Sequence, residues 1–178
     1  MPDRIEQIVE AARALIEEGG SQALTMRAIA DRLGIRAPSL YKHFPDKLAV
    51  EAGVIAIAMN ELAAELAKAE SLTELAAAYR AYALEHPHLY RLMNSGPLPR
   101  HLLPAGVEDR AALPLVRVAG NEDLARAIWA FAHGMVILEL DGRFPPGADL
   151  GSAWRTGLSA FGFADTAAET RPGGSRTR

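Results

Sequence analysis

The sequence predicts an all-helical protein of about nine helices, and three observations carry that prediction. Apolar residues recur at three- and four-residue intervals rather than in alternation, which puts their side chains on one face of a helix. Ala and Leu dominate an apolar fraction of 49%, and these side chains lose little rotamer freedom in a helix, whereas β-branched residues suit strands. Gly, Pro and short polar residues stand where helices of ordinary length would begin and end. At 178 residues the chain has material for one compact domain or for two modest ones sharing a core.

Ile5, Ile8, Val9, Ala12, Leu15 and Ile16 form the apolar face of a first helix that closes at Gly19 and Gly20. Thr25 then precedes Met26, Ile29, Ala30 and Leu33, the pattern of a short helix with Thr25 as N-cap and Gly34 as its end. Pro38 suits the first turn of the next short helix, because its missing N–H would have no intrahelical partner there. Pro45 disfavours helix at Phe44, and Asp46 suits the start of a long helix reaching about Ala69. Ser71 with Glu74 spells a capping box for a helix through about Glu85, and Pro87 restarts a short one through Met93. The stretch from Asn94 to Gly106 carries Gly96, Pro97, Pro99 and Pro104 and is expected to be irregular. Asn121 caps a helix over about 122–140, and a turn at Pro145, Pro146 and Gly147 leads to a last helix over about 148–163. The polar, Arg- and Gly-rich tail, residues 166–178, is expected to be disordered.

Composition narrows the function classes. There is no cysteine, which excludes a disulfide framework, a thiolate metal site and a thiol nucleophile and fits a cytoplasmic protein. The start of the chain lacks the apolar core of a signal peptide. The longest apolar stretch, Ala125 to Leu140, is broken by Arg126, His133 and Glu139 and falls short of a membrane span, so no membrane partner is expected. The net charge of −3 argues against a polyanionic partner overall. The distribution does not: between Thr25 and Lys47 five cations (Arg27, Arg32, Arg36, Lys42, Lys47) face two carboxylates (Asp31, Asp46).

Two short helices around a Gly turn fit a structural corner or a helix-turn-helix equally well. The residues themselves, Leu24-Thr25-Met26-Arg27-Ala28-Ile29-Ala30, Leu33-Gly34-Ile35, Ser39-Leu40-Tyr41-Lys42-His43-Phe44 and Lys47, resemble the DNA-binding domain of the TetR family of bacterial repressors over roughly residues 5–50. The resemblance implies a helix-turn-helix DNA-binding domain over 1–47 and a helical effector-binding and dimerisation domain over 48–165. It also implies that Thr25, Arg27, Tyr41 and Lys47 meet phosphates, which position the protein without specifying sequence. Arg36, Ala37, Ser39 and Lys42 form the tip and outer face of the recognition helix, with Arg36 able to make a bidentate contact to guanine and Lys42 equally able to meet phosphate, and Pro38 belongs to the same DNA-binding set. His43 completes the set as a packing or backbone contact. Arg4 is the one cation before Ile5, with Asp3 and Glu6 beside it, where many relatives carry a basic arm.

Further on, Ile128-Trp129-Ala130-Phe131-Ala132-His133-Gly134-Met135-Val136 resembles the Trp-His-Gly type of TetR C-terminal domain. It implies that the last two helices pair with their symmetry mates in a four-helix bundle, with Ile128, Phe131, Met135, Leu138, Trp154, Leu158 and Phe161 supplying the stripes of a homodimer interface. Tyr79, Tyr82, Tyr90, Met93, Trp129 and His133 are the candidate lining of a small-molecule pocket, each of them equally a satisfied core residue. The function expected is a dimeric repressor that binds a palindromic DNA operator and is released by a small-molecule effector, with no cofactor and no metal. A regulator without a small-molecule effector is the alternative. An enzyme built on His86, His88, His101 and His133 with Glu85 and Glu139 is the remote one, because no nucleophile, phosphate loop or metalloprotease spacing accompanies them.

Overall fold

The computed structural model describes residues 3–162; the tail from 166 lies outside the described residues. Eight α-helices follow one another among them: α1 (Arg4–Gly19), α2 (Met26–Leu33), α3 (Lys47–Leu66), α4 (Leu72–Glu85), α5 (Pro87–Asn94), α6 (Val107–Ala119), α7 (Glu122–Leu140) and α8 (Leu150–Ser159). Two 3-10 helices, Ala37–Lys42 and Arg100–Leu102, interrupt the series.

The starts fall where the capping residues stand. Thr25 Oγ1 accepts from the Ala28 amide at 3.0 Å, Asp46 Oδ1 from the Ala49 amide at 2.9 Å, and Asn121 Oδ1 from the Leu124 amide at 2.8 Å. Ser71 and Glu74 form their capping box reciprocally. Gly34 ends α2 in the left-handed region at φ 64, a conformation that strains any residue with a Cβ.

Four boundaries depart from the sequence expectation. The helix after Pro38 is 3-10 rather than α over its six residues, with the Ser39 amide bonded to Arg36 O and the His43 amide to Leu40 O, both at 2.9 Å. α3 ends at Leu66, three residues early, because Lys68 and Ala69 turn back in i→i+3 bonds and the Arg117 guanidinium bonds the Ala67 and Ala69 carbonyls at 3.3 and 2.8 Å. α8 is shorter than expected at both ends. α6 lies between two stretches read as a loop and as the Asn121 cap, and it carries Pro114 inside it.

The helices close over two hydrophobic cores. The first gathers Ile8, Ile16, Leu24, Ile29, Leu40, Val50, Val54 and Leu89 from α1, α2, the first 3-10 helix, α3 and α5. The second gathers Leu72, Leu75, Tyr79, Tyr90, Ile128, Val136, Trp154 and Leu158 from α4, α5, α7 and α8. α5 belongs to both: Leu89 enters the first core and Tyr90 the second, each 0% exposed, and Met93 packs against both.

A bidentate pair ties α4 to α7, Arg80 Nε and Nη2 donating to Glu139 at 2.8 and 2.5 Å, with the carboxylate side chain 16% exposed. Arg80→Ala leaves a mostly buried carboxylate without its partner and is expected to cost about 1–3 kcal/mol in urea unfolding. The double variant Arg80→Ala, Glu139→Ala should recover part of that loss. Additive losses would show that the pair contributes no coupling.

Candidate nucleic-acid interface and helical core site

The first 3-10 helix is presented to solvent by a single anchor. Leu40 is fully buried among Ile29, Ala30 and Ile8, while Arg36, Pro38, Ser39, Tyr41, Lys42 and His43 are exposed and Ala37 is half-buried. Tyr41 is 53% exposed with its ring free of the core. Thr25 and Arg27 stand beside this surface at the start of α2, also exposed, with Arg27 Nε 3.7 Å from Asp31. Lys47, half-buried at the start of α3, gives a hydrogen bond to the Ser21 carbonyl at 3.1 Å and lies 3.3 Å from Glu51. One face therefore carries exposed cations, a phenol and hydroxyls on the short 3-10 helix and the start of α2 beside it. That is the surface a duplex backbone and its base edges require.

The six candidate pocket residues divide. Tyr79 and Tyr90 share a hydroxyl–hydroxyl hydrogen bond at 2.8 Å, and Tyr90 bonds Nδ1 of His133 at 2.8 Å. Burial raises both phenol pKa values and lowers that of His133. Met93 is half-buried and Trp129 is 49% exposed, its ring centroid 6.2 Å from that of His133. Tyr82 faces a different neighbourhood, giving its proton to the Ala58 carbonyl at 3.2 Å, with its pKa raised by burial and by Glu61. Two open hollows, about 420 and 240 Å³, meet at Glu85 and His86; Tyr82 lines the larger, and neither is lined by Tyr79, Tyr90, Met93, Trp129 or His133.

Three of the seven interface candidates are buried within the subunit itself. Ile128, Trp154 and Leu158 are at most 6% exposed within the subunit's own core, because the stripes of α7 and α8 that carry them turn toward α4. Trp154 Nε1 has no hydrogen-bond partner there. Phe131, Met135 and Phe161 are half-buried, and Leu138 is 43% exposed. Phe131 stacks edge-on between Trp154 and Phe161 at 5.5 and 5.8 Å.

Of the histidines and carboxylates of the enzyme reading, Glu85, His86 and His88 share the smaller hollow, while His133 and Glu139 are engaged elsewhere. Glu139 is held by Arg80, His86 Nδ1 by Glu17 at 3.1 Å and His133 by Tyr90. Among the described residues no group of three or more His, Asp or Glu could hold a metal ion, and no helix is long and apolar enough to cross a membrane. Sequence reading assigned nothing to Arg13, whose Nη1 reaches Glu61 at 2.7 Å and links α1 to α3. The two residues lie 48 positions apart, beyond any local spacing signal.

Comparison with known proteins follows the same division. Residues 8–50 match the family described as bacterial regulatory proteins, tetR family, and residues 72–161 match the tetracyclin repressor-like C-terminal domain. An HTH-type transcriptional regulator of Mycobacterium tuberculosis is 31% identical over 156 residues, covering 77% of this chain and 70% of its own. The HTH-type repressor KstR of the same organism is 39% identical over 46 residues, 26% of this chain and 21% of that one. Among solved structures, the regulatory protein SCO4313 aligns with a TM-score of 0.71 at 26% identity over 90% of this chain and 98% of its own. A TetR variant from Acinetobacter baumannii in complex with minocycline aligns with a TM-score of 0.65 at 22% identity over 90% and 94%.

Proposed function

Because this chain belongs to the TetR family of helix-turn-helix transcriptional regulators, a family of DNA-binding proteins and not of enzymes, we propose that it is a cytoplasmic repressor that binds a palindromic operator as a homodimer and leaves it when a small molecule enters its C-terminal helices. The observation that carries this reading is the exposed face of the 3-10 helix, where every residue but Ala37 and Leu40 stands out to solvent. Thr25, Arg27, Tyr41 and Lys47 fix the register on phosphates. Arg36, Ala37, Pro38, Ser39 and Lys42 read base edges, and His43 closes the surface beside them. In functional terms the head is residues 1–47 and the effector and dimer module 48–165.

Dimerisation has support in the apolar side chains that α7 and the turn after α8 leave partly open, the exposed Leu138 with the half-buried Phe131, Met135 and Phe161. A soluble chain gains by burying such a patch against its symmetry mate. The effector reading rests on the aromatic and polar groups of α4, α5 and α7, and on α5 being shared by both cores. A ligand that binds one arrangement of α5 better than another shifts DNA affinity by its differential affinity, commonly about 1–3 kcal/mol. The minocycline-bound relative supports small molecules as the class.

Selection from random duplex DNA with the full chain tests the operator. The expected product is a palindrome whose half-sites lie about 34–36 Å apart or a multiple of that. No enrichment over scrambled DNA would end the repressor reading. With the operator in hand, Arg36→Ala should relax preference at particular base pairs by about 1–3 kcal/mol, whereas Lys47→Ala should weaken all sequences alike and lower the slope of log affinity against log salt by about one. Equal losses on cognate and scrambled duplex for Arg36→Ala would remove it from base readout.

A further inference from the structure

Tyr79, Tyr90 and His133 come from three helices, α4, α5 and α7, and meet in one chain of hydrogen bonds, both links at 2.8 Å. Either hydroxyl of the first link could be the donor, and the acceptors within reach choose between them. A phenol has one proton to give. Tyr79, 5% exposed, has the Tyr90 oxygen as its acceptor among the described contacts, so its proton goes to Tyr90. Tyr90 passes its own proton to Nδ1 of His133. His133 is thereby held neutral, in the tautomer that carries its proton on Nε2.

Adding a proton to Nδ1 turns the acceptor at the end of this chain into a donor. Tyr90 must then accept from His133 and return its proton toward Tyr79. The Tyr79 proton is left without an acceptor among the described groups. The three side chains can then no longer satisfy all their protons at once, and the strain falls on α5, which carries the middle residue of the chain.

That helix also supports the head. Leu89, beside Tyr90, is fully buried in the core of the helix-turn-helix, Leu92 packs there too, and Met93 touches both cores. We propose that Tyr90 and His133 are positioning residues for DNA binding and form a proton-sensitive latch: neutral His133 seats α5 and the head in the operator-binding arrangement, and protonation of His133 unseats them. The latch rests on the operator reading above.

The groups facing His133 are Tyr90 from α5, Tyr79 behind it from α4 and Trp129 one turn earlier on α7. Burial is the one resolved cause of its shift, and it lowers the pKa. An imidazole held below its ordinary value near 6.5 contributes fully to the folded arrangement above that pH. Its contribution is lost as pH falls through the lower, folded value.

The test compares the full chain with its His133→Gln and Tyr90→Phe variants, measuring affinity for the selected duplex at pH 7.5 and 5.5 at constant salt. His133→Gln retains an acceptor and cannot titrate. The unsubstituted protein should lose about fivefold or more in affinity on acidification relative to His133→Gln, and Tyr90→Phe should be weaker at both pH values with a flat profile. His43, His86, His88 and His101 are present in all three proteins, so the difference isolates His133. Parallel profiles, or tighter binding in acid, would overturn the latch. So would nitrogen-15 shifts placing the His133 proton on Nδ1 at pH 7.5. If selection yields no duplex, the operator reading fails separately, and methyl spectra decide the latch: Leu89 and Leu92 follow the His133 titration in the unsubstituted protein and not in Tyr90→Phe, or the latch is wrong.

Discussion

Leu40→Ala is expected to cost about 2–5 kcal/mol of stability and to abolish operator binding while much of the helical circular dichroism remains. The recognition element is only six residues of 3-10 helix, too short to hold its own shape. Leu40 is its one buried side chain, and the Leu40 carbonyl accepts the amides of His43 and Phe44 at 2.9 and 3.0 Å. Truncation opens a cavity under the whole reading surface and frees the element to tilt. Leu40→Met conserves volume and should cost less than about 1.5 kcal/mol. Urea unfolding beside operator titration checks both, and near-normal affinity in Leu40→Ala would show that the turn, not this anchor, sets the position of the helix.

Gly157→Ala sets two effects against each other. Inside a helix the change is favourable by about 1 kcal/mol on propensity alone. A Cβ at this position would lie 2.1 Å from Cζ of Phe131 and 2.3 Å from its Cε2, far inside contact distance. The ring cannot retreat without giving up its edge contacts with Trp154 and Phe161, so the net result expected is a loss of about 1–3 kcal/mol and a lower melting temperature. A raised melting temperature would mean that Phe131 swings outward at little cost.

The helices most legible in the sequence were those announced by side chains that bond their own backbone. Thr25, Asp46, Ser71 and Asn121 each mark a start correctly, since the cap is a local interaction over three residues. α6 was invisible for the converse reason. Its N-cap is Gly106, which offers no side chain, and Pro114 sits in its interior where an uncovered helix would break. The acidic first turn of Glu108 and Asp109, Arg117 in the last turn and the left-handed Gly120 were the available signals. The end of α3 was misplaced because Arg117, 50 positions from Ala67, takes up its last carbonyls.

The candidate site shows the same split. Which residues of the recognition element face outward follows from one apolar side chain in six. Which stripe of α7 or α8 faces its own subunit does not, because both stripes are apolar; that Ile128, Trp154 and Leu158 are the buried ones depends on where α4 lies. The tyrosine–histidine chain was assembled from three helices whose residues were named together, yet its bonds depend on a crossing that periodicity does not contain.

The first core reaches past the helices usually counted as the DNA-reading part. Val50, Val54 and Ala58 of α3 and Leu89 of α5 close it, while Tyr90 and Met93 fasten the same short helix to the second core. Cutting the chain at residue 47 would therefore leave Ile8, Ile16, Leu24 and Ile29 without the side chains that exclude water from them. The border between reading DNA and responding to a signal is a division of labour and not of folding. The two ends share one thermodynamic fate, so a substitution in either core taxes the stability of both, and selection on one activity is bound to constrain the sequence that serves the other.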